Sequence, residues 1–296
     1  MRVLSSKSIS GLLALGCSAL LGAALLAGPA DALALPTLRT AWAPAATAAI
    51  HPGTMMYTQG AQCTANFVFT DSAANVYVGY AAHCAGLGSA TDTNGCTAPT
   101  LPVGTPVTFN QGGNPISEGT VVGSGTLAYS SWVTMQAKHT TDANTCAYND
   151  LALVKVNPAD LAKVNPSVPF WGGPVGLDTN GTAAGDRLYT YGNSSLRAGI
   201  EQLSPHTGIS LGDDAADGGW SHPLYTVLPG IPGDSGSGFL SADGSAVGVL
   251  STLGLAPLPL SNNIGDLAHE LAWAQANSGN AGLTLVNGTE PFNPIL

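Results

Sequence analysis

Ser235 lies in the run Pro229-Gly230-Ile231-Pro232-Gly233-Asp234-Ser235-Gly236-Ser237-Gly238-Phe239, where four of the nine residues from 230 to 238 are glycine. Such a run makes poor helix and poor strand. It suits a tight loop whose backbone takes positive φ or approaches another group closely. A serine held there can present its hydroxyl beside converging backbone N–H groups. Acyl transfer needs that pairing: a nucleophile next to donors that stabilise an oxyanion. A Gly/Ser-rich surface turn has the same composition, so the loop becomes a site only with partners elsewhere.

A serine nucleophile needs a base, and the base needs an orienting group. Of six histidines, only His83 has a notable context, Gly79-Tyr80-Ala81-Ala82-His83-Cys84-Ala85. It follows a strand-like run and adjoins a cysteine, so a disulfide could fix its backbone. A His-Cys pair also suits a metal site, but no second ligand cluster stands at suitable spacing. Asp150 opens the apolar run Asp150-Leu151-Ala152-Leu153-Val154. A carboxylate entering a core needs a partner, and a histidine would satisfy it. A strand-initiating Asp in a turn is the competing structural role.

These residues need a scaffold, and the pattern predicts a β-rich one. Residues 65–70 and 76–81 are β-branched and aromatic, with Asp71 to Asn75 between them, which predicts a hairpin. Further short strands are expected at 106–109, 119–122, 131–135 and 150–156. The Pro-rich stretch Asn165 to Pro174 is expected to cross between two units. A second set of strands follows at 187–191, 199–203, 224–228, 238–240 and 246–250. Short strands at regular spacing with turn signals point to sandwiches or barrels. Residues 265–276 differ: Leu267, Leu271 and Ala274 share one face, Asp266 stands in the first turn, and Gly279 follows the end, which predicts an amphipathic helix.

Ala81-Ala82-His83-Cys84, then Asp150-Leu151-Ala152-Leu153, then Gly233-Asp234-Ser235-Gly236, resemble the trypsin/chymotrypsin-like serine peptidases, bacterial secreted type. They come in that family's order, and the resemblance covers roughly Thr58 to Ser278. It implies an all-β fold: two six-stranded antiparallel β-barrels with the active site between them, and a C-terminal α-helix. It implies Ser235 as nucleophile, His83 as general base and acid, and Asp150 as the group that orients and stabilises the imidazolium. The N–H groups of Gly233 and Ser235 would form the oxyanion hole. The disulfide Cys63–Cys84 would bracket the histidine, and with it Cys96–Cys146 would tether the loop before Asp150. Ser251 would support the buried Asp and line the substrate cleft. Pro229, Pro232 and Leu253 would line the specificity pocket, within walls running from 229 to 232 and from 252 to 254.

Two departures from the family bear on function. Its animal members begin their mature chain with Ile-Val-Gly-Gly, whose amino terminus pairs with the Asp before the nucleophile; that sequence is absent here. Asp234 therefore needs an internal cation, and Arg187 is expected to supply it because it starts a strand of the second unit. The pocket also differs. Pro229 stands about where trypsin-like members carry an acid, and Leu250 where glutamate-specific bacterial members carry a histidine. Both point to a small or apolar residue before the scissile bond. Asp213, Asp214 and Asp217 cluster in a Gly-rich loop whose spacing matches no calcium loop, and are expected to form a solvated acidic turn. The fifth residue of Gly233-Asp234-Ser235-Gly236-Ser237 is not glycine, so the hydrolase nucleophile elbow is not met.

The composition fits this reading. The chain has 296 residues, with 9% charged, 45% hydrophobic, 38 Gly and 20 Pro, which is neither disordered nor coiled-coil. Residues 1–34 have the layout of a secretory signal peptide: Arg2 and Lys7, an apolar run from about Ile9 to Leu26, then small residues ending at Ala32-Leu33-Ala34. Removing them takes away Arg2, Lys7 and Asp31 and leaves 6 Lys/Arg against 17 Asp/Glu, a net charge of −11. Such a surface does not favour nucleic acid or anionic membrane. Cys63, Cys84, Cys96 and Cys146 remain, an even count that implies two disulfides in an exported chain, with three possible connectivities. Residues 35–55, rich in Ala, Pro and Thr, are expected to be a linker or short propeptide. Residues 56–296 form the expected peptidase domain, 56–170 the first barrel and 171–296 the second with the helix.

The expectation is thus a secreted, extracellular, monomeric serine endopeptidase acting on peptide or protein, with no cofactor and no metal. A non-catalytic member of the fold that binds a partner or the cell wall, and an esterase using the same triad, are the competing readings.

Overall fold

The computed structural model describes residues 41–88, 93–213, 215–253 and 259–294. The expected signal peptide, Asp214 and Gly254 lie outside the described residues. Fourteen strands and three α-helices are seen among them. The first seven strands are β1 (Met55–Thr58), β2 (Ala61–Thr64), β3 (Val68–Thr70), β4 (Val76–Ala81), β5 (Pro106–Gln111), β6 (Thr120–Ser130) and β7 (Leu151–Val156). The rest are β8 (Arg187–Tyr191), β9 (Pro205–Ser210), β10 (Ser221–Thr226), β11 (Gly238–Leu240), β12 (Ala246–Leu253), β13 (Asn262–Asp266) and β14 (Thr284–Leu285). The helices are α1 (Ser131–Ala137), α2 (Ala143–Tyr148) and α3 (Leu267–Asn277).

The strands form two antiparallel sheets. One is a closed six-stranded barrel, β10-β13-β12-β11-β8-β9, as the resemblance implied. The other is an eight-stranded sheet, β14-β3-β4-β7-β6-β5-β1-β2, rather than a six-stranded barrel. The extra strands sit at its edges: β2 folds back on β1, and β14 returns from the C-terminus to pair with β3. The 171–296 segment therefore also serves the first sheet. With the C-terminal α3, this is the mainly β architecture that the resemblance implied, with one of its two sheets closed.

Burial alternates along β9 and through most of β6. In β4 and β7 nearly every residue is buried, because both faces of the sheet are covered. The closed barrel is filled by Leu188, Leu224, Phe239, Val247, Leu250 and Ile264. Burying each such side chain contributes about 1.5–3 kcal/mol. The ring of Phe67 lies against Gly238, where an added Cβ would come within 2.5 Å of it, so the first unit packs onto the start of β11.

Three expectations about local structure are corrected. Residues 131–135 form helix rather than strand. Ser130 caps α1 by accepting the Val133 N–H, and Trp132 and Met135 are buried at helical spacing, which outweighs the local β-branching. Residues 199–203 form a loop with a 3-10 turn at Glu201–Leu203, not a strand. Of the expected linker, residues 35–40 lie outside the described residues and the rest packs on the fold: Ile50 is fully buried and bridges Val164, and the Ala43 N–H donates to the Val164 carbonyl. Helix α3 agrees with the sequence, with Asp266 as its N-cap accepting the His269 N–H at 2.7 Å.

The acidic loop is not a solvated turn. Asp217 is buried and accepts the Ser221 hydroxyl at 2.6 Å and the Gly219 N–H at 2.8 Å. Asp213 accepts the Thr182 hydroxyl and the Nδ1–H of His222, whose ring is fully buried and whose Nε2 faces Asp266 at 2.9 Å. With a carboxylate at each ring nitrogen, both nitrogens must donate, so His222 is held as an imidazolium. Burial pushes its pKa down, but the hydrogen bonds and charges of Asp266 and Asp213 raise it by more.

Candidate active site

The histidine sits where β4 ends. Residues Ala82–Ala85 form a 3-10 turn, and the Cys63–Cys84 disulfide ties that turn to β2. Both sulfurs are bonded to each other, so His83 has no thiolate neighbour with which to hold a metal. The Asp150 carbonyl accepts the Ala82 N–H at 2.7 Å, which places the head of β7 beside the turn. A second disulfide, Cys96–Cys146, joins α2, just before Asp150, to the loop that follows His83.

Asp150 is 4% exposed and every polar atom on it is used. Oδ1 accepts the His83 backbone N–H at 2.8 Å. Oδ2 accepts the His83 Nδ1–H at 2.6 Å and the Ser251 hydroxyl at 2.7 Å. An ionised carboxylate only accepts, so Nδ1 carries the proton and Nε2 is left as the ring's acceptor toward the cleft. Burial pushes the His83 pKa down, and the charge and hydrogen bond of Asp150 push it up by more.

The serine loop lies against this pair. Gly236 has φ +87°, and a Cβ there would come within 2.7 Å of the Ala81 nitrogen and of the Thr64 oxygen. Only glycine lets the loop approach the end of β4 so closely. The Ser235 carbonyl accepts the Thr64 N–H at 2.8 Å, and His83, Asp150 and Ser235 line one cleft of about 610 Å³. The N–H groups of Asp234, Gly236 and Ser237 go to the carbonyls of Ile231, Leu250 and Asp234. Those of Gly233 and Ser235 carry no hydrogen bond among the described residues. Gly233 has φ +99°, and its carbonyl accepts from Thr64 Oγ1 at 2.7 Å and from Gln62 Nε2 at 3.0 Å.

Asp234, 1% exposed, anchors the loop from below, and its cation is Arg197, not Arg187. Arg187 begins β8 as its exposed residue, opposite Ile209. Arg197 ends the 3-10 turn Ser195–Arg197, whose cap Ser194 donates its hydroxyl to the Pro232 carbonyl at 2.6 Å. That contact carries the turn under the loop, and the Arg197 guanidinium bonds Asp234 Oδ2 with its side chain only 9% exposed. The N–H groups of Ser194 and Ile231 complete the shell, each at 3.0 Å.

Ser251, Pro232 and Leu253 line the cleft, and Pro229 does not. Its carbonyl turns toward Arg197, and Gly230 and Asn262 take its place on the wall. Asn262 is 1% exposed; its Oδ1 accepts the Gly230 N–H at 2.8 Å and its Nδ2 donates to the Thr252 carbonyl at 3.3 Å. The amide thus ties the two walls together. Sequence reasoning missed Asn262, Gln62 and Arg197, whose flanking residues carry no signal of these contacts.

No family model matches the sequence, and no curated protein matches it. Among solved structures the chain is similar to Thermobifida fusca Protease A, at 17% identity and a TM-score of 0.49, over 81% of this chain and 99% of that one. It is similar to Nocardiopsis protease (NAPase) at 17% identity and a TM-score of 0.42, over 80% and 98%. It is similar to Cellulomonas bogoriensis chymotrypsin at 15% identity and a TM-score of 0.42, over 80% and 98% of the two chains.

Proposed function

We propose that the protein is a secreted serine endopeptidase that hydrolyses peptide bonds through His83, Asp150 and Ser235. The observation that carries this reading is the bonded pair of Asp150 and His83 in the cleft that also holds Ser235 in its glycine loop. Ser235 Oγ attacks the scissile carbonyl carbon while His83 Nε2 takes its proton, and the carbonyl becomes an oxyanion facing the Gly233 and Ser235 N–H groups. As the tetrahedral intermediate collapses, the C–N bond breaks and His83 gives the proton to the leaving amine. Water then attacks the acyl-enzyme with His83 again as base, which releases the acid and restores Ser235. Asp150 keeps its negative charge throughout and stabilises the imidazolium.

The cleft walls are Ile231, Leu250 and Leu253, with the neutral amide of Asn262 tied to backbone on both sides. Among the described residues of these walls, no charged side chain stands to receive an ionised one. A peptide-library digest is expected to show small or apolar residues before the cleaved bond. Cleavage concentrated after Lys, Arg or Glu would contradict this pocket.

The raised His83 pKa sets a pH dependence. The base must be neutral, so kcat/KM is lost as pH falls through the histidine's folded value. The acid limb is expected above the ordinary histidine pKa of about 6.5. Asp150→Asn removes the charge that raises it and should move that limb down while lowering kcat. A wild-type limb below the ordinary histidine value would show that Asp150 does not govern the imidazole.

A further inference from the structure

Behind Asp150 lies a second acid that the mechanism above does not use. Glu270, in the first turn of α3, is fully buried. Its Oε1 accepts the Asp150 backbone N–H at 2.8 Å, and its Oε2 has no hydrogen-bond partner among the described residues. The ionisable groups around it are Asp150 before β7, Asp266 at the head of its own helix and Tyr129 of β6. Helix α1 and strand β12, which also pack on α3, bring no titratable side chain, and Lys155 of β7 is exposed. None of these groups is a buried cation.

A carboxylate without a cation, out of water and beside two other acids, is held in its neutral form. Burial raises the Glu270 pKa most, the charges of Asp150 and Asp266 add to it, and the Asp150 N–H opposes them. A neutral carboxyl still accepts a hydrogen bond, so Glu270 can hold the Asp150 backbone without placing a second charge beside the triad. We propose that Glu270 is a positioning residue of the triad, holding Asp150 in place while neutral, and that its ionisation sets the alkaline limit of activity. This rests on the catalytic reading of His83, Asp150 and Ser235.

The sign follows from linkage. The folded pKa lies above the unfolded one, so the folded state holds the extra proton. The stability associated with it is fully present below the ordinary glutamate value and is lost as pH rises through the folded value. Above that point an unpaired charge lies directly behind Asp150 and strains the carboxylate's hold on His83.

The test compares Glu270→Gln with Glu270→Leu, following kcat and KM on a chromogenic peptide amide from neutral to alkaline pH, and the melting temperature over the same range. Gln keeps the acceptor and cannot ionise. It is expected to hold kcat/KM within about threefold at neutral pH and to abolish the alkaline fall in both rate and stability. Leu keeps the bulk but leaves the Asp150 N–H unpaired, and is expected to lower kcat by about 10- to 100-fold with KM little changed. The proposal is overturned if Gln keeps the wild-type alkaline limb, or if Leu retains wild-type kcat. Should Leu fail to fold, the pH profile of Gln decides alone. Fluorophosphonate labelling of the wild type separates the two readings. An unlabelled Ser235 strikes the triad, whereas a labelled enzyme with an unmoved limb in Gln strikes Glu270.

Discussion

Ser235→Ala is expected to lower kcat on a peptide substrate by about 10⁶-fold while leaving KM and the melting temperature near wild type. The size follows from the mechanism. Without Oγ there is no acyl-enzyme, and the base and oxyanion donors can only assist a direct attack by water, which they do weakly. The expected sparing of stability follows from the site. Ser235 is only half-buried, and its backbone carbonyl holds Thr64 whatever the side chain. Steady-state kinetics and thermal melts check both parts. His83→Ala should fall nearly as far, and the double variant little further, because the two residues act as a unit. Activity that survived Ser235→Ala would place the chemistry elsewhere.

Arg197→Ala is expected to be the most damaging change outside the triad, costing about 3–5 kcal/mol of stability. It leaves the Asp234 carboxylate buried with two backbone donors and no cation. The loop carrying Gly233 and Ser235 rests on that carboxylate, so surviving folded protein should also lose about 10²- to 10³-fold in kcat as the oxyanion donors shift. Urea denaturation measures the first effect and kinetics the second. Arg197→Ala combined with Asp234→Asn should recover part of the stability, since a buried amide needs no counter-ion. Arg187→Ala, at an exposed strand end, should leave both quantities near wild type. Equal effects at Arg187 and Arg197 would contradict the pairing.

The contrast between those arginines shows what the sequence could reveal. Arg187 looked suitable because it opens a strand, yet it is the one exposed residue of β8, ahead of three buried ones. Arg197 lies in a loop without periodic signal, and its link to Asp234 spans 37 residues. Gln62 reaches Gly233 across 171 residues, Asn262 reaches Gly230 across 32, and Glu270 reaches Asp150 across 120. Nothing in the flanking residues of these four encodes such pairings. The contexts of His83, Asp150 and Ser235 are different, because each carries its own local requirement: a cysteine beside the histidine, an apolar strand after the acid, and glycines around the serine. The fold divides the same way. Strands β4, β7, β8 and β11 were legible, whereas β1, β2, β9 and β13 were not, because Gln, Pro, Gly and Asn dilute the strand signal in most of them. The helix at Ser131–Ala137 was not, because a cap and two buried residues at helical spacing overrode its β-branched composition.

The most direct test of the proposed chemistry is the reaction of the protein with a fluorophosphonate, followed by mass mapping of the modified peptide. The mechanism predicts one label per chain, on Ser235, slowed as pH falls through the His83 transition and absent from Ser235→Ala. A folded protein that takes no label on Ser235, or takes it on another serine, would contradict the assignment.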